Sequence, residues 1–155
     1  MTSDERIRAA LQKYADRGVF RGFSETRSRN GKLAFTFLWQ TPRQLEFVAD
    51  IDNQTLMFRN LLPNILAGSP MHSELRKFVE GLHDRQVPKH RRIERARAEV
   101  TCATRGGNLS VSLKVKNNQY TYGVNRLVNL THELFVHLND CYSEYLSEQF
   151  DMPQE

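Results

Sequence analysis

Four polar side chains near the end of the chain, Glu133, His137, Asp140 and Glu144, recur at i, i+4, i+7 and i+11, the spacing of one helical face, with Cys141 beside His137. Carboxylates flanking an imidazole can hold a divalent ion or pass protons near neutral pH, provided that a cleft opens over them. Without a cleft they are the solvated side of an amphipathic helix, the reading this pattern favours. Zinc hydrolysis is a poorer fit. The run His132-Glu133-Leu134-Phe135-Val136-His137 spaces its histidines five apart, about 140° around a regular helix, whereas joint ligation needs a spacing of four. The sequence therefore assigns no catalytic residue, no metal and no cofactor, and enzymatic activity is the less favoured reading.

A second concentration of chemistry is cationic: Arg85, Lys89, Arg91, Arg92, Arg95 and Arg97, against Glu94 alone. The net charge of +4 conceals this, because residues 1–84 carry +2, residues 85–126 carry +8, and residues 127–155, which hold no Lys or Arg, carry −6. Arginine outnumbers lysine 16 to 6, and its planar fork suits phosphate and carboxylate alike. Three uses compete: contact with nucleic acid or another anion, pairing with the acidic C-terminal helix or with that of a second subunit, and plain solvation. Nucleic acid is the less favoured partner, since aromatic residues interleaved with the charges would be its mark. Tyr120 and Tyr122 read as inward-facing strand residues, and the outward side of that hairpin shows Ser110, Ser112, Lys114 and Lys116.

Other singular residues carry less. Gly106-Gly107 joins two strands and precedes no helix, so it is not a phosphate loop. Ser24 lacks the glycines of a nucleophile elbow. His72, His83 and His90 are isolated in sequence, and His72 is expected at the surface. Cys102 and Cys141 are too few for a disulfide scaffold and match no zinc spacing. Trp39 with Phe35 and Phe37 would line a pocket or, as aromatic strand faces usually do, the core. The Asn-x-Ser/Thr triplets at Asn53, Asn108 and Asn129 are read as chance.

The elements that must position these groups can be read from periodicity. Ile7, Ala10, Leu11 and Tyr14 follow Thr2 and Glu5, spaced as a capping box, and precede Gly18, placed to end a first helix. Residues 20–28 and 32–40 flank Asn30-Gly31, a two-residue hairpin signal that puts Leu33, Phe35, Phe37 and Trp39 on one face and Trp39 opposite Gly22. Leu45 and Phe47 mark a third strand, and Leu56 and Phe58 a short fourth. Ser69-Pro70 opens a second helix with Met71, Leu75, Phe78, Val79 and Leu82 on one face, ended by Pro88. Residues 97–104 and 108–116 pair around Gly106-Gly107 so that Val100 meets Leu113, Cys102 meets Val111 and Glu99 meets Lys114. A seventh strand holds Tyr120 and Tyr122. From Asn125 one long helix carries Leu127, Leu130, Leu134, Leu138, Cys141 and Tyr145, a stripe that Val128, Phe135, Tyr142 and Leu146 widen enough for deep packing or a subunit contact.

This order predicts an α+β protein: an antiparallel sheet of about seven strands built from hairpins, with N-terminal, central and long C-terminal helices mainly on one face. It resembles the order in small bacterial secretion chaperones, which also set helices around an antiparallel sheet but tend to be acidic where this chain is basic. Residues 1–155 are expected to form one domain, with a helix-plus-hairpin pseudo-repeat over 1–69 and 70–155. With 155 residues, 39% hydrophobic and 26% charged, and a mean hydropathy of −0.59, disorder and membrane spanning are poor fits. The charged start argues against a secretory leader, and the cytoplasm is the expected compartment. The function expected is that of an interaction or adaptor module with a protein partner or a second copy, docking through the basic segment and the C-terminal helix.

Overall fold

The computed structural model describes residues 1–27 and 32–152. Six strands form one antiparallel sheet in the order β1-β2-β3-β4-β6-β5: β1 Arg21–Arg27, β2 Leu33–Leu38, β3 Gln44–Asp50, β4 Thr55–Leu62, β5 Ala98–Arg105 and β6 Asn108–Val115. The helices are α1 Ser3–Asp16, α2 Pro70–Glu80, α3 Tyr120–Cys141 and α4 Ser143–Phe150, with a 3-10 turn over Gly81–His83. The expected α+β class holds and, among the described residues, there is one strand fewer and one helix more than expected. Among the described residues, no helix is long and apolar enough to cross a membrane.

Local chemistry explains most of the boundaries. Thr2 accepts from the Glu5 amide and Glu5 from the Thr2 amide, closing the capping box, and Gly18 leaves α1 at φ +77°. Ser69 caps α2 through the His72 amide, with Pro70 in its first turn. That helix stops well before Pro88, because Leu82 turns into the core and the His83 ring is held elsewhere. The β5–β6 pairing is the expected one, with Val100 opposite Leu113, Cys102 opposite Val111 and Glu99 opposite Lys114. Gly106 and Gly107, at φ +60° and +80°, make the two-residue turn that L side chains resist.

The first hairpin differs from expectation. Ser24 pairs with Thr36 and Glu25 with Phe35, and the register shifts again before Arg21 at Gly22, φ +62°. Trp39 therefore does not face Gly22; it meets Phe20 edge-on at 5.3 Å and Phe58 at 6.2 Å. The observed register turns Phe23 inward to stack on Phe35 at 5.7 Å and lets Glu25 bond Arg8 of α1. The expected register would have set Phe23 on the outer face. The Asn30-Gly31 turn lies outside the described residues.

The expected seventh strand is instead the first turn of α3. Asn117 and Asn118 at φ +54° and +56° turn the chain, and Tyr120, Val124, Leu127 and Val128 then follow helical period onto the sheet. Gly123 makes the fit, since a Cβ there would fall 2.4 Å from Val115 Cγ1 and 3.0 Å from Leu56 Cδ1. Helix α3 lies across β4 and β6, α1 packs on α3, and α2 lies against β5. The inner sheet face, with Phe35, Phe37, Phe47, Phe58, Val111 and Leu113, is buried beneath them. The long helix is also broken: Tyr142, at φ −138° and ψ 43°, separates α3 from α4. The leucines of the wide stripe are buried inside the chain, Cys141 toward its end is exposed, and Val136 is the one large hydrophobic of α3 that is exposed.

Candidate functional site

The basic segment, residues 84–97, runs from the 3-10 turn to β5 and is tied down along its length. Ile93 is fully buried, and its amide donates to the Leu82 carbonyl at 2.9 Å. The Arg91 and Arg92 amides both close onto the Pro88 carbonyl at 2.9 Å. Side chains from outside the segment satisfy three more of its backbone groups. Arg126 of α3 donates to the Arg92 carbonyl at 3.1 Å and Lys116 to the Arg95 carbonyl at 2.6 Å, while the Glu94 amide donates to the Tyr122 hydroxyl at 3.0 Å.

The predicted cations divide into two groups. Arg91 pairs with Glu133 of α3, Arg92 Nε lies 3.1 Å from Glu94 without the alignment of a hydrogen bond, and Arg97 donates to Gln119 at 2.5 Å. Arg97 also sits 3.8 Å above the Tyr122 ring, with Arg126 at 4.9 Å from the same ring. Arg85, Lys89 and Arg95, with His90, are exposed, and among the described residues their side chains have no partner. Tyr122 is thus not the inward strand residue expected; as a helical residue it holds the segment by its ring and its hydroxyl.

The polar face of the last helix is split. Glu133 is spent on Arg91, and the kink at Tyr142 moves Glu144 onto α4, out of line with His137. Asp140 and Glu144 are exposed and, among the described residues, have no ion-pair partner. His137 is engaged by residues that spacing does not show: its Nε2 is 2.7 Å from Glu74 Oε1 of α2, its ring stacks on Phe78 at 4.4 Å, and its Nδ1 lies 3.9 Å from Cys141 Sγ. Glu74 and Phe78, one turn apart on α2, are partners of His137 that helical spacing alone does not show. Among the described residues, no three of His, Cys, Asp or Glu are grouped to hold a metal ion.

The remaining candidates resolve simply. His72 is buried, against expectation, and its Nδ1 accepts from the Gly68 amide at 3.2 Å. His83 bridges two backbone groups: Nδ1 lies 2.9 Å from the Ile93 carbonyl and Nε2 accepts from the Val100 amide at 3.2 Å. Beside Trp39 is an open depression of about 360 Å³, walled by Tyr14, Val19, Gln40, Val128 and His132, with no acid–base pair converging on it. Cys102 is buried under the sheet, and burial, with a smaller push from Glu80, drives its thiol up to about 11. Cys141 is exposed. No protein-family model matches the sequence, no curated protein is significantly similar to it, and no solved structure matches it.

Proposed function

We propose that the protein is an interaction module that docks an acidic protein surface on residues 84–97, with Arg85, Lys89 and Arg95 as the contacting cations. The observation that carries this reading is the contrast within one loop. Its backbone is fixed by Arg126, Lys116, Tyr122 and the Arg91–Glu133 pair, yet three cations are held out without partners. A loop fixed in advance loses little conformational entropy on binding. Helix α3 takes part as the support of the loop, and with its apolar stripe buried the docking is electrostatic, transient and salt-sensitive.

A protein surface is favoured over nucleic acid because Tyr122, whose hydroxyl and ring hold the loop, already has the Arg97 and Arg126 guanidinium groups against it. A reducing compartment such as the cytoplasm suits a chain with two free thiols.

Titration with polyglutamate and with duplex DNA, followed by fluorescence anisotropy, tests the reading. Polyglutamate binds at low salt, and replacing Arg85, Lys89 and Arg95 together by Ala weakens binding by about tenfold or more. No polyglutamate binding at low salt, binding that ignores the three substitutions, or a DNA complex at physiological salt that they abolish would each overturn it.

A further inference from the structure

We propose that Cys141 is a site of thiol–disulfide exchange, with His137 as its base and Glu74 positioning the base, and that it selects cationic or neutral small disulfides over anionic ones. The geometry rests on three groups from two helices. Glu74 Oε1 lies 2.7 Å from His137 Nε2. With Glu74 as the acceptor at this contact, Nε2 is the donor of the ring and Nδ1 is left as its acceptor. Nδ1 is on the Cys141 side, 3.9 Å from Sγ. The ring cannot easily turn away, being stacked on Phe78 at 4.4 Å and met by Tyr142 at 6.1 Å. Glu74 Oε2 is buried without a hydrogen-bond partner, a carboxylate whose charge is answered once His137 becomes imidazolium.

The thiol is reachable. It sits where α3 stops at the Tyr142 kink, on the wall of an open depression of about 440 Å³ completed by Ser143, Tyr145, Glu144 and Glu148. A resting contact of 3.9 Å is long for proton transfer, as such contacts commonly are before a reactant is bound.

The step balances without further reagents. The Cys141 proton passes to His137 Nδ1, and the thiolate sulfur attacks one sulfur of R–S–S–R. A new Sγ–S bond forms, the old S–S bond breaks, and the departing R–S⁻ takes up the proton as R–SH. Cys141 is oxidised to the mixed disulfide while half of the small disulfide is reduced to thiol.

Charge supplies the selectivity. The C-terminal end of α3 and the side chains of Asp140, Glu144 and Glu148 make the surroundings negative. An anionic disulfide is therefore repelled as it approaches, and a cationic one is drawn in.

The test compares cystamine, a dication, with oxidised glutathione, an anion, on the full chain, with the modified residue located by peptide mass mapping. Each rate is divided by that of the same disulfide with a free model thiol. Cystamine labels Cys141 about tenfold faster on this scale, His137→Gln lowers the cystamine rate by about tenfold, and Glu74→Gln lowers it less. Equal normalised rates for the two disulfides in the unaltered protein would overturn the selectivity. A His137→Gln protein of unchanged circular dichroism and unchanged rate would overturn the role of the base.

Discussion

At the start of α3, Tyr120 is fully buried with its hydroxyl donating to the Ile51 carbonyl at 3.2 Å, Gly123 touches β6 and β4, and Tyr122 and Arg126 hold the basic loop. At the other end, Val136 is exposed, His137 is a partly exposed ring between Phe78 and Tyr142, and Cys141 faces solvent. One helix thus serves as a structural beam where it begins and as a carrier of polar chemistry where it ends. The lesson is that the arginine-rich loop, although its side chains are mostly exposed, owes its shape to the rigid end. The histidine cluster depends only on two helices staying in register.

The start of α3 is most vulnerable at Gly123. Placing Val there pushes side-chain atoms into Val115, Leu56 and Leu113, and urea denaturation should show a loss of about 3 kcal/mol. A loss under about 1 kcal/mol would mean that the helix can ride up off the sheet, and that its two ends are less different than they look.

A smaller effect, and a sharper one, comes from Tyr122→Ala. It removes the ring that two guanidinium groups approach and the acceptor of the Glu94 amide, at a cost of about 2 kcal/mol. Limited trypsin digestion should then cut residues 84–97 faster than in the unaltered protein, at sites that include Arg92. Unchanged digestion would show that Arg91 and Glu133 suffice to hold the loop.

The smallest effect belongs to the far end. Carboxamidomethylation of Cys141 under mildly alkaline conditions should leave the melting temperature within about 2 °C of its starting value. Cys102 stays unmodified until the chain unfolds, because it is buried and its thiol is pushed up to about 11. The sign follows: a group raised in the folded state stabilises fully below its ordinary value of 9.0 and loses that contribution as the pH climbs toward about 11.

Legibility in the sequence tracks how local the deciding contact is. The β5–β6 register could be read because Glu99–Lys114, Thr101–Ser112 and Val100–Leu113 all agree and Gly106-Gly107 sets the turn. The β1–β2 register could not, since it turns on Phe23 reaching Phe35 and Glu25 reaching Arg8 of another element. Tyr120-Thr121-Tyr122 alternates like a strand, and only its neighbours Val124 and Leu127 reveal the helical period. At Tyr142 no proline or glycine marks the kink, and the apolar stripe continues through Tyr145 and Leu146. The candidate site was half legible: His137 stood out by spacing, but Glu74 lies 63 residues away and could enter only with the packing of α2 on α3.

The ring of His83 has a further consequence. Strand β5 is one of the two edge strands of the sheet, where unpaired amides would template the addition of another chain. His83 Nε2 occupies the Val100 amide, while its other nitrogen is anchored at the Ile93 carbonyl. A strand arriving at that border meets an imidazole already seated in the hydrogen-bonding position, so pairing along β5 is opposed at Val100 by a side chain of the protein itself.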